Sequence, residues 1–97
     1  MKSIAVISKR ILPSLISKEQ RIFVSRSWVI SEQTAKDLIG GQFSCHDKQV
    51  NDSFHQGTII DVVPSLKDVG RYEIIYKWDN NLVSGRGLNW AMEQAQY

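Results

Sequence analysis

The chain predicts an α+β fold of five to six mostly antiparallel strands with one helix packed on a face of the sheet, and three patterns carry that expectation. Residues 71–78 alternate strictly, with Tyr72, Ile74, Tyr76 and Trp78 on one side and Arg71, Glu73, Ile75 and Lys77 on the other. Residues 32–39 place Ala35, Leu38 and Ile39 on one helical stripe between a Ser31 cap and a Gly40-Gly41 stop. Runs rich in β-branched residues at 3–8 and 57–63 are too short for helices and are bounded by turn residues.

Taken in order, residues 3–8 form a first strand and 11–17, around Pro13, an irregular connection. A second strand covers 21–29, where the alternation is imperfect, as a bulge or burial on both faces produces. In the helix over 32–39, Glu32 sits at the positive end of the dipole. From Gly41 the pattern turns to β, with a strand over 42–47, a polar stretch over 48–56, and a strand over 57–63 ending at Pro64. A turn over 65–70 leads into the alternating strand. Asp79-Asn80-Asn81 is a turn, 82–84 a short returning strand, and Gly85-Arg86-Gly87 a further break. Over 88–95, Asn89 as cap with Leu88, Met92 and Ala95 on one side favours a short terminal helix, although Trp90 and Met92 alternate equally well for an edge strand. Nothing repeats and nothing is low in complexity, so one domain spans 1–97.

A chain of 97 residues, 42% hydrophobic and 23% charged, can close one core without metals or disulfides but has little left for a deep, dry catalytic pocket. Its one Cys cannot make an internal disulfide and fits a reducing compartment. No apolar run approaches the roughly 20 residues of a membrane span, and Lys9, Arg10 and Pro13 interrupt what a signal peptide keeps continuous. A soluble intracellular protein is expected. Charge is segregated along the chain: residues 1–26 hold six basic residues and one acidic, whereas 27–97 hold six basic and nine acidic. That segregation gives either opposed basic and acidic faces or, if folding interleaves the two segments, none.

Cys45, His46, Asp47 and His55 form the densest cluster of nucleophile, base and ligand groups. Neighbours on a strand point to opposite faces, so Cys45 and His46 cannot cooperate, and His55 reaches Cys45 only if the polar stretch folds back. No spacing matches a zinc ribbon, finger or HExxH site. The expectation is an inward Cys45, two solvated histidines, no metal, no cofactor and no catalytic constellation. Gly40-Gly41 follows a helix C-terminus, where the dipole repels anions, and Gly85-Arg86-Gly87 lacks the Lys and Ser or Thr of a phosphate loop. Tyr72, Tyr76 and Trp78, with Arg71 and Lys77, serve either as a stacking platform for single-stranded nucleic acid or, as favoured here, as a core face. Carboxylates at Glu32, Asp37, Asp47, Asp52, Asp61, Asp68 and Asp79 recur at element ends and in loops. Several of them spread over one surface imitate the phosphate path of a duplex.

With RIFVSRSWVISEQTAKDLIGG followed by GTIIDVV and RYEIIYKW, the chain resembles the small single-domain anti-CRISPR proteins that block the type I-F (Csy) surveillance complex. The resemblance implies a non-enzymatic inhibitor of phage origin, a monomer acting in the cytoplasm of a bacterial host. It would dock on the complex at its large subunit and Cas7-type backbone and exclude target DNA without binding nucleic acid or membrane itself. Glu32, Asp37, Asp47, Asp52, Asp68 and Asp79 would form the partner-binding face, with the basic first 26 residues turned away. The net charge of +2 departs from a frankly acidic DNA mimic. The same block also resembles the PUA-like barrels, in which a helix after the first strands precedes a Gly-bounded strand. That likeness implies recognition of a modified or flipped base, with Trp28, Tyr72 and Trp78 as stacking residues.

Overall fold

The strictly alternating stretch becomes a central strand of a mixed sheet. In the computed structural model, which describes residues 2–8, 13–83, 88, 90 and 94–97, seven strands and one helix are formed. The strands are β1 (Ile4–Ile7), β2 (Ser14–Ser17), β3 (Ile22–Val29), β4 (Gln42–His46), β5 (His55–Pro64), β6 (Arg71–Trp78) and β7 (Gln94–Gln96). The helix, α1, spans Glu32–Leu38 between β3 and β4. All seven strands join one sheet in the order β2-β3-β6-β5-β4-β1-β7. Only β1 and β4 pair in parallel; every other neighbour is antiparallel.

Local chemistry explains the element ends. Ser31 Oγ accepts from the Thr34 amide at 3.1 Å, satisfying one of the free donors of the first helical turn. At the other end Gly40 adopts φ 90, a left-handed conformation open to glycine, and the Gly41 amide donates to the Leu38 carbonyl at 2.9 Å. Gly57 is required by close approach: a Cβ there would lie 1.9 Å from the Lys77 carbonyl oxygen on the neighbouring strand.

Register divides the side chains between two faces. Ile4, Val6, Phe43, Cys45, Ile59, Ile74 and Tyr76 share the face under α1 and pack with Ala35, Leu38 and Ile30 into the core; Phe23, Trp28, Phe54, Val62 and Tyr72 line its margin. The opposite face carries Ala5, Ser44, His46 and Gln56 along β1, β4 and β5, then Arg71, Glu73, Ile75 and Lys77 along β6. Its first half is buried and its second half exposed or half-buried.

Several expectations are corrected. The sheet has seven strands because 14–17, read as irregular, pairs with β3, and because 94–96 pairs with β1. The end of the predicted terminal helix over 88–95 is thus an edge strand; of its remaining residues only Leu88 and Trp90 are described. Leu82 and Val83 are not in a strand, and Ser84 to Gly87 lie outside the described residues. Both histidines are buried, not solvated, since each lies on a strand whose two faces are covered at that point. The charged segments interleave: Arg26 lies 3.5 Å from Glu73, and the Arg21 guanidinium sits over the Trp78 ring, beside Asp79.

Candidate functional site

The antiparallel β4–β5 pair sets Cys45 directly opposite His55, so the polar stretch between them does fold back and brings thiol and imidazole to the same face. The pair is not poised for nucleophilic chemistry. Burial pushes the Cys45 thiol up to about 12, which keeps it protonated at neutral pH, and burial lowers the pKa of His55, which keeps it neutral. His55 Nδ1 is joined to the Tyr76 hydroxyl at 2.6 Å, whose pKa burial also raises. His46 points to the opposite face. Among the described residues no group of three or more His, Cys, Asp or Glu is placed to hold a metal ion.

At the end of the sheet where β4 passes into β5, β6 ends on Trp78 and the turn between β2 and β3 comes to meet it. The Trp78 amide donates to the Arg21 carbonyl at 2.8 Å, and Arg21 is held at φ 58. That backbone geometry lays the guanidinium over the indole, 5.4 Å from its centroid. On the inner side the His55 ring stacks on Trp78 at 5.9 Å and 22°. Glu19, Gln20, Arg21, Lys77, Trp78 and Asp79 line an open cleft of about 330 Å³. The arrangement is a half-buried aromatic plate, backed by a neutral imidazole and fronted by two cations and two carboxylates.

The six carboxylates singled out from the sequence divide between the two ends of the sheet. Asp47, Asp52 and Asp79 lie at the β4–β5 loop end, where Asp47 accepts from Asn51 Nδ2 at 2.9 Å and Asp79 from the Asn81 amide at 2.9 Å. Glu32, Asp37 and Asp68 lie toward the β5–β6 turn end. Glu32 pairs with Lys36 at 3.8 Å, Asp37 accepts from Gln33 Nε2 at 3.0 Å, and Asp68 accepts from Ser27 Oγ at 3.3 Å. Of the aromatics expected to stack, Trp28 and Tyr72 are opposite one another in the register at the margin of the core, and Trp78 alone borders the cleft just described. All three lie on the face away from Arg71 and Lys77.

Sequence reasoning missed a second feature, a polar cluster on the face opposite α1. Ser44 and His46 are fully buried and Gln56 nearly so. His46 Nδ1 lies 2.9 Å from the Asn51 carbonyl oxygen, which can only accept, so that nitrogen carries the proton. His46 Nε2 lies 3.1 Å from Ser44 Oγ. Ser53 Oγ donates to Gln56 Oε1 at 2.7 Å, Gln56 Nε2 donates to the Asp79 carbonyl at 3.3 Å, and Gln42 Nε2 donates to the Leu82 carbonyl. Trp90 meets the His46 ring edge to face at 5.2 Å and 82°. The i, i+2 spacing of Ser44 and His46 on a strand was the available signal, but the partners come from segments distant in sequence.

Scans against protein-family models, curated proteins and solved structures find no match for this chain.

Proposed function

We propose that the chain is a non-enzymatic binding module for single-stranded nucleic acid, with Trp78 as the stacking residue and Arg21 and Lys77 as phosphate contacts. The observation that carries this is the open cleft in which the Arg21 guanidinium lies over the half-buried Trp78 ring. An exposed cation–π contact is worth about 0.5–1 kcal/mol. A base stacked on an aromatic side chain gains about 1–3 kcal/mol. A base therefore displaces the guanidinium, which is then free to pair with a phosphate. The basic balance, net +2, favours such a partner.

The test is fluorescence anisotropy with a labelled single-stranded oligonucleotide at two salt concentrations. Binding that weakens with salt and drops at least about tenfold in Trp78→Leu is expected. Equal binding by Trp78→Leu, or no binding by the native chain at low salt, overturns it.

Inhibition of a type I-F surveillance complex is the second function considered, and one observation favours it: Asp47, Asp52 and Asp79 gather at the same end of the sheet as the cleft. Only half of the expected acidic set is available there, which places this role second. Retention of the chain on crRNA-loaded complex, with loss of target-DNA binding and no affinity for free nucleic acid, would put it first. In that case charge reversal at Asp47, Asp52 and Asp79 abolishes retention, whereas reversal at Glu32, Asp37 and Asp68 does not.

A further inference from the structure

We infer that His55 is the positioning residue of the Trp78 site: its neutral imidazole holds the indole ready for a base, and a proton taken up by that ring releases the nucleic acid. This rests on the nucleic-acid function proposed above and adds its regulation.

His55 is 8% exposed; its ring stacks on Trp78 at 5.9 Å and 22° and meets Phe23 edge to face at 4.6 Å and 76°. One hydrogen bond fixes it in that position, the 2.6 Å contact between Nδ1 and the Tyr76 hydroxyl. The hydroxyl has no other hydrogen-bond partner among the described residues, so its proton is met only by donation to Nδ1. A proton added to the imidazole turns Nδ1 into a donor as well, and two hydrogens cannot occupy one such contact. The hydroxyl must then turn its own proton to where no described residue accepts it, which carries the cost of a buried, unmet donor. The imidazolium is no better served. Phe23 on β3, Tyr76 and Trp78 on β6, and Cys45 at the facing position on β4 surround it, and none of them carries a charge to pair with it at neutral pH. The ring relieves both costs by leaving the stack for water, and Trp78 loses its support. Burial lowers the pKa of His55, so the neutral ring prevails at pH 7 and release sets in below about pH 6.5. The charges that line the cleft itself are Arg21, Lys77, Glu19 and Asp79. They favour the reverse trend, because acid that neutralises either carboxylate removes repulsion of phosphate and tightens binding. Weaker binding in acid therefore reports the imidazole and not the cleft.

The test is the anisotropy assay with a labelled oligothymidylate, whose bases do not titrate in acid, run at constant ionic strength from about pH 7.5 down to about pH 5 over the span in which far-UV circular dichroism is unchanged. The native chain should bind at least about threefold more weakly at the acid end. His55→Phe keeps a ring to stack on Trp78 and cannot take a proton, so that fall should vanish; because His46 is still present, the variant also separates the two histidines. By reciprocity, saturating oligonucleotide should move the titration midpoint of His55, read from its imidazole C–H resonance in the native chain, down by at least about half a pH unit. That readout needs no variant and decides alone should His55→Phe fail to fold. A native affinity that is flat or rises in acid, an equal fall in His55→Phe, or a His55 midpoint unmoved by oligonucleotide refutes the coupling. The stacking function then stands so long as Trp78→Leu still loses binding. If the native chain binds at no pH, both fall.

Discussion

The two faces of the sheet are built from the same strands and closed by different chemistry. Under α1, Ile4, Val6, Phe43, Ile59, Ile74 and Tyr76 close against one another and against Ala35 and Leu38. On the other side Ser44, His46 and Gln56 are buried just as deeply, among hydrogen bonds to segments that cross over them. Apolar contact is non-directional and scales with area, so the first face tolerates small shifts and loses stability in proportion to the atoms removed. A hydrogen-bonded face gains only about 0.5–1.5 kcal/mol for each bond made, but loses more when one partner is deleted and the other stays buried. The helix side thus supplies stability, and the polar side fixes where the 47–54 and 79–82 segments lie.

The largest effect expected from that contrast is on the helix side. Phe43 is fully buried and stands 4.4 Å from the Tyr76 ring, centroid to centroid. Phe43→Ala should cost about 3–5 kcal/mol, a large share of the roughly 5–15 kcal/mol that holds a domain together. Urea unfolding reads this as a fall in midpoint at constant slope. A loss under about 1 kcal/mol would show that the face under α1 is not the main store of stability.

Next comes Gln56→Leu, which keeps the side-chain volume while removing the hydrogen bonds that Gln56 makes with the Ser53 hydroxyl and the Asp79 carbonyl. Its cost should be about 1–3 kcal/mol. Because Asp79 borders the Trp78 cleft, oligonucleotide affinity should fall with it. A neutral or stabilising outcome would break the contrast, since the polar face would then behave as a replaceable apolar one.

The two faces also differ in how far the sequence discloses them. Alternation in 71–78 named Ile74 and Tyr76 as core, and the Ser31 cap with the Gly40-Gly41 stop placed α1 to within a residue, because each signal is local. β2 escaped notice, and β7 stood only as the edge-strand alternative to a helix, for a physical reason: three or four residues carry too little periodicity, and their pairing depends on β3 and β1 far away in the chain. The polar cluster was illegible for the same reason. Nothing adjacent to His46 announces that Ser44, the Asn51 carbonyl and Trp90 will enclose it, and an isolated His between Cys45 and Asp47 reads as exposed. Of the Trp78 cleft, the aromatic was foreseen and the Arg21 cover was not, since it comes from a different hairpin.

Protonation sharpens the contrast, because Cys45, His55 and Tyr76 all lie on the helix side. The folded pKa of His55 is depressed, so below about pH 6.5 the unfolded chain takes up a proton that the folded chain resists, and stability falls as pH falls. The folded pKa of Cys45 is raised from 9.0 to about 12, so stability is complete below 9 and declines as pH climbs toward 12. Urea midpoints should therefore be highest between these limits. At about pH 10 the loss should be on the order of 1 kcal/mol, and Cys45→Ala should remove much of the alkaline limb. A native chain equally stable at pH 7.5 and 10 would mean that the thiol is not sealed under α1.

The smallest effect belongs to the exposed half of the opposite face. Arg26 and Glu73 approach to 3.5 Å, with 57% of the arginine side chain and 24% of the glutamate side chain exposed. Water and salt screen such a pair, so Arg26→Ala should change stability by less than about 1 kcal/mol, and the Arg26→Ala, Glu73→Ala cycle should give a coupling within the same bound. If Arg26 joins Lys77 in contacting phosphate, its removal should lower the salt dependence of oligonucleotide binding by about one unit of slope while leaving the urea midpoint in place. A large stability loss with no change in slope would show the reverse, that the charges on this half of the sheet serve the fold. The contrast between the faces would then be one of shape alone, because both would owe their stability to contacts within the chain and neither would hold side chains in reserve for a ligand.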